Sequence, residues 1–180
     1  MTEPPTPNSP VFYACIAATP DGPPIEIAWA TSACEAYGVI CESHLIQPPA
    51  AWNSELVREA CALQPFALTL ADLRDFGMSP SDLAARMNES LAERELFSAT
   101  ADDDARLRKL FDAANAAPTF TLRSSDAAEL ITELAGMMRL SQPAIARAKR
   151  EAEVMGLTGI RAEAKVRFLL TYWGLVAAQS

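Results

Sequence analysis

The chain has 180 residues and a formal net charge of −8, with half of its residues hydrophobic and 21% charged. That length suits one domain with a buried core, and the composition excludes disordered and fibrous classes. The acidic balance argues against tight nucleic-acid binding, whose affinity comes largely from neutralising phosphates. No apolar run reaches the roughly 18 residues that a membrane helix needs.

Residues 1–10 hold four prolines and no apolar stretch of the signal-peptide kind, so they read as a loose tail, with residues 11–180 as a single domain. The run from Val11 to Ala18 is apolar and short, as a buried strand is. Turn chemistry follows at Thr19-Pro20-Asp21-Gly22-Pro23-Pro24, and residues 25–30 form a second strand. Residues 37–46 read as a third strand, stopped by Pro48-Pro49, and the three make an antiparallel meander. Helices are predicted over residues 51–61 and 69–76, the second with a Thr cap and a terminal Gly77. Ser79-Pro80-Ser81-Asp82 opens another helix, with Leu83, Met87 and Leu91 on one face. Residues 94–98 read as a short buried strand, and residues 102–115 as a helix with Leu107, Leu110 and Phe111 inward. A fifth strand is expected over residues 118–122, then helices over 125–140, 142–155 and 161–178. The fold class is therefore α/β: a mixed five-stranded sheet, a three-stranded meander plus two further strands, flanked by helices.

Cys15, Cys34, Cys41 and Cys61 form no CxxC pair, and His44 is the only histidine, so a structural zinc site lacks its ligands. The expectation is buried free thiols in a reducing cytoplasm. A histidine alone in a strand carries no triad, and neither a GxSxG elbow nor a glycine-rich phosphate loop is present. The final helix is apolar nearly all round, through Phe168, Leu169, Leu170, Tyr172, Trp173, Leu175 and Val176, and is expected to be buried in the core or at a dimer interface.

Several strings resemble the DEDD-type 3′–5′ exonucleases, the ribonuclease H-like group that includes ribonuclease T and the proofreading exonucleases. Pro24-Ile25-Glu26-Ile27-Ala28-Trp29 matches that group's second strand, and Leu45-Ile46-Gln47-Pro48 the end of its third. Leu83-Ala84-Ala85-Arg86-Met87-Asn88-Glu89 resembles a helix after its His-Gly-Ile segment, here replaced by Leu63-Gln64-Pro65-Phe66. The resemblance spans residues 11–178 and implies a ribonuclease H-like fold, and by analogy with ribonuclease T a homodimer.

The same resemblance shows what is missing. Cys15 and Ala17 stand where the group has Asp and Glu. Its third carboxylate falls on Asp102-Asp103-Asp104. Spacing to Leu107 favours Asp103, and spacing from Ser98 favours Asp104. In its last motif, His-Arg-Ala-x-x-Asp, Ile160 replaces the histidine and Lys165 the aspartate, while Arg161 and Ala162 fit. The group's reaction uses two Mg²⁺ ions about 4 Å apart, held by hard oxygen ligands. Asp103, Asp104 and Glu26 remain as weak metal candidates. Lys165 adds a charge that would repel a cation at about 4 Å by roughly 4 kcal/mol at an effective dielectric of 20.

The expectation is therefore a catalytically degenerate exonuclease-like domain that needs no cofactor and binds nucleic acid or protein. The alternative is an active exonuclease with an altered Mg²⁺ or Mn²⁺ site; a third reading is a structural protein that keeps only the fold. Three finer expectations follow. Lys165 salt-bridges the surviving aspartate in place of metal, or else is a solvated residue. Asp102, Asp103 and Asp104 chiefly cap their helix. Arg147, Lys149, Arg150, Arg161, Lys165 and Arg167 form a solvated basic face or a weak nucleic-acid contact.

Overall fold

The structure, a computed structural model, describes residues 10–32, 39–58, 60–123, 126–154 and 159–178. The expected tail before Pro10, Cys34, the first residues of the third strand and the ends placed at 125 and 155 lie outside the described residues.

The meander is as read from the sequence. Strands β1 (Val11–Ala17), β2 (Pro24–Ser32) and β3 (Val39–Leu45) pair antiparallel, with Cys15 opposite Ile27 and Ile16 opposite Glu26. Strands β4 (Glu95–Ser98) and β5 (Thr121–Leu122) add in parallel on the far side of β1, giving the order β3-β2-β1-β4-β5. β1 is thus central and buried at all of its residues, so it reads as a continuous apolar run rather than an alternating one. β5 is shorter than expected. Pro118 has no N–H to offer, and the Thr119 N–H goes to the Asn88 side chain.

Among the described residues seven α-helices flank the sheet or pack on the helices that do: α1 (Ala50–Arg58), α2 (Leu70–Phe76), α3 (Pro80–Leu91), α4 (Asp103–Ala114), α5 (Ala127–Met137), α6 (Gln142–Ala152) and α7 (Ala162–Ala177). The first expected helix ends early, at Arg58, and a separate 3₁₀ turn runs from Ala60 to Phe66. Thr69 and Asp72 close a capping box on α2, and Ser79 caps α3.

β1 side chains alternate between two cores. Val11, Tyr13 and Cys15 pack with Ile27 and Trp29 against α3 and α4, through Leu83, Met87, Leu107 and Phe111. Phe12, Ala14 and Ile16 pack on the other face against α7 and the α1–α2 region, through Val166, Leu170, Leu56 and Leu73. α5 and α6 then pack on the outer side of α7 through Ile131, Ala135 and Ala148, with Val176. α7 lies between sheet and outer helices, which is why its sequence is apolar nearly all round. No helix among the described residues is long and apolar enough to cross a membrane.

Candidate functional site

The site positions gather where β1 outruns its neighbour. β4 pairs with β1 only from Val11 to Tyr13, and the last main-chain link on that side is the Ala99 N–H to the Tyr13 carbonyl, at 2.8 Å. Beyond it, buried main-chain groups of β1 need other partners, because an unpaired buried amide is costly. The first turns of α4 supply them. Asp103 accepts from the Cys15 N–H and, at 2.8 Å, from the Thr100 N–H. Arg106, one turn on, donates through Nη1 to the Cys15 carbonyl at 3.3 Å and lies 3.4 Å from Asp103 Oδ1. Its Nη2 donates to the Pro20 carbonyl at 3.3 Å. Two side chains of α4 thus replace the missing length of β4.

Asp103 is only 1% exposed. Burial raises its pKa above the ordinary carboxylate value, against the opposing effect of the Thr100 and Cys15 N–H groups and the charge of Lys165. The facing thiol of Cys15 is likewise pushed up by burial and by the Asp103 charge. Asp104 points elsewhere and accepts a hydrogen bond from the buried Tyr13 hydroxyl, whose pKa is raised by burial and by this carboxylate. Asp102 is at the N-cap position, makes no cap bond, and reaches Arg106 at 3.6 Å.

Two expectations are corrected here. The aspartates do not chiefly cap α4: the strand end draws in Asp103, and the phenol takes Asp104. The cation paired with Asp103 is Arg106, not Lys165. Among the described residues Lys165 forms no ion pair, although its charge still lowers the Asp103 pKa.

Glu26 neither lines a cleft nor faces solvent. It is 1% exposed, and its Oε2 accepts from Arg161 Nε at 2.7 Å and from the Ala162 N–H at 3.3 Å. Its Oε1 accepts from Ser43 at 3.3 Å. Glu26 therefore fastens the start of α7 to β2. Because Ile16 is its partner across the strands, it points to the opposite face from Cys15.

Ala17 is buried, Ile160 is 48% exposed on the approach to α7, and neither carries a donor. The expected basic face is divided. Arg161 is bound to Glu26 and Arg167 to Glu163, while Arg147, Lys149 and Arg150 are exposed on α6. The His44 ring lies tilted by 33° against Trp29 with ring centroids 5.4 Å apart, beside Glu42 at 3.6 Å. Cys15 is a buried free thiol as expected. Cys41 is half-buried, its thiol pushed up to about 11 mainly by burial, whereas Cys61 is exposed.

These residues do not fit a magnesium pair. Cys15, Ala17 and Ile160 offer no hard oxygen side chain, and Lys165 brings a positive charge. Asp103 has its oxygens committed to two N–H groups and a guanidinium. Among the described residues no three His, Cys, Asp or Glu are arranged to hold a metal ion. Arg106 and Glu26 were missed as organising residues. Their only sequence signals were an acid inside an apolar strand and an Asp–Arg pair three apart on a helix.

No protein-family model matches the chain, and no curated protein matches it. Among solved structures, a product-bound exonuclease I is similar at 14% identity and a TM-score of 0.57, over 95% of this chain and 44% of its own. Another, described as the exonuclease I structure that suggests how processivity is achieved, is 15% identical with a TM-score of 0.46, over 70% of this chain and 30% of its own. The chain thus spans less than half the length of either. The first likeness shows the fold alone: the chain has the α/β arrangement of that structure, a mixed five-stranded sheet flanked by helices.

Proposed function

We propose that this domain does not hydrolyse phosphodiesters and acts instead in binding. One observation carries the reading: Asp103, which we take as the counterpart of the family's third carboxylate, is buried and fully engaged by Thr100, Cys15 and Arg106. A metal-dependent nuclease needs that carboxylate free to face a cation and its water. The replacement of the other carboxylates by Cys15, Ala17 and Lys165 supports the same reading.

The partner class that agrees with the exonuclease-like fold is single-stranded nucleic acid, held weakly. The exposed trio Arg147, Lys149 and Arg150 on α6 is the face available for it, because Arg161 and Arg167 are already paired. A net charge of −8 keeps such binding weak and strongly salt-dependent.

The test incubates the purified chain with end-labelled single-stranded DNA and RNA, in Mg²⁺ and in Mn²⁺. No 3′ shortening is expected, with a salt-sensitive mobility shift that weakens in an Arg147→Ala/Lys149→Ala/Arg150→Ala variant. Metal-dependent 3′ shortening that disappears in Asp103→Ala would overturn the reading.

A further inference from the structure

A cavity of about 450 Å³ opens beside Pro10 and the start of β4, at the end of the sheet opposite Cys15. It lies where two cores meet without closing. Phe97 and Leu130 belong to the core between the sheet and α7, Leu134 packs on the core outside α7, and Trp173 packs on both. Leu130, Leu134 and Trp173 are each only partly buried, and all three line the cavity. Met137, 75% exposed, lines it too. An apolar interior of this volume with a few polar groups suits a small molecule.

The charged part of the lining is balanced: Glu93, Arg94, Glu95 and Arg123. Arg123 Nε lies 3.3 Å from Glu95 Oε2, and both side chains are about half exposed. An ion pair so exposed contributes little to the fold, so a ligand competes for it at low cost. An anion alone would gain from two guanidiniums and lose to two carboxylates, and a cation would do the reverse. A zwitterion gains from both. An α-amino acid carries its carboxylate and ammonium on one carbon, so it can lie antiparallel to the adjacent Arg–Glu pair and exchange charge-assisted hydrogen bonds with each. An internal peptide segment has no such terminal charges to offer. Glu93 holds a φ of 61°, a left-handed conformation that glycine adopts at least cost.

We propose that this cavity binds a free α-amino acid with a large apolar side chain. The ammonium sits against Glu93 and Glu95, the carboxylate against Arg94 and Arg123, and the side chain among Phe97, Leu130, Leu134 and Trp173. The site shares no residue with the Asp103 end of β1 or with the α6 trio, so it goes beyond the nucleic-acid reading and does not depend on it.

The test is calorimetry of the wild-type chain with L-phenylalanine and L-leucine at up to about 10 mM. Three analogues of phenylalanine accompany them: 3-phenylpropionate without the ammonium, phenethylamine without the carboxylate, and N-acetyl-phenylalanine methylamide as a chain segment. At least one of the two amino acids is expected to bind, and phenylalanine about fivefold or more tighter than each analogue. Its preference over 3-phenylpropionate should shrink in Glu93→Gly, a change that removes a carboxylate and relieves the backbone there. Its preference over phenethylamine should shrink in Arg123→Gln. Absence of binding by both amino acids overturns the proposal. So does equal or tighter binding of any analogue, the capped one then assigning the cavity to a peptide, and so do preferences unchanged in both variants.

Discussion

Glu26 on β2 and Arg161 before α7 meet at 2.7 Å across 135 residues of sequence. The same carboxylate takes the first free N–H of α7, at Ala162, so one buried acid both pairs a charge and caps a helix. This contact fixes the longest helix to the sheet, and the outer helices α5 and α6 pack on it.

Glu26→Ala leaves the Arg161 guanidinium and the Ala162 N–H without their acceptor. Breaking a wholly buried pair costs about 3–5 kcal/mol, but the Arg161 side chain is 41% exposed, so water compensates part of the loss. We expect destabilisation of about 2 kcal/mol by urea unfolding, with Glu26→Gln losing less because its amide oxygen still accepts from Ala162. Equal losses in the two variants would assign the effect to packing alone.

Asp103 makes stability depend on pH in a direction unusual for a carboxylate. Its folded pKa is raised by burial, so its contribution is fully present below the unfolded value of about 3.9 and is lost as pH rises through the folded pKa. The stability advantage of wild type over Asp103→Asn should therefore shrink as pH rises above about 4, measured by urea unfolding at each pH. An advantage that grows with pH would mean that Arg106 and the N–H donors outweigh burial.

Tyr13→Phe removes the buried donor to Asp104 and should cost about 1–2 kcal/mol. The raised phenol pKa gives a second readout. Wild type should lose stability above about pH 10 more steeply than Tyr13→Phe, because ionising this phenol is harder in the folded state. Parallel alkaline profiles would count against the contact.

Gly77 ends α2 where the chain crosses the end of β3. A Cβ there would lie 2.2 Å from the Leu73 carbonyl oxygen and 2.5 Å from the Gln47 nitrogen, both backbone atoms. Gly77→Ala should destabilise by about 2–3 kcal/mol through forced backbone movement. A neutral substitution would show that this junction can shift freely.

The sheet was legible because its strands announce themselves locally: apolar runs broken by Pro20-Asp21-Gly22 and by Pro48-Pro49. α3 and α4 were legible for the same reason, through Leu83, Met87 and Leu91, and Leu107, Leu110 and Phe111. The site was legible only as a set of absences at Cys15, Ala17, Ile160 and Lys165. What fills them depends on the parallel register of β1 and β4, which leaves Cys15 without a partner on the β4 side. No local pattern encodes that register, so Asp103 read as a carboxylate counterpart and helix cap, and Arg106 drew no notice. Lys165 was the natural choice of cation because its position in the motif pointed there. The nearer guanidinium, three residues from Asp103 on the same helix, made the pair instead.

The most direct test of the central claim is crystallographic. Crystals of the wild-type chain soaked in Mn²⁺ should show no anomalous peak within reach of Asp103, with Arg106 still spanning Cys15 and Pro20. Two manganese peaks about 4 Å apart beside Asp103, with the arginine displaced, would contradict the account.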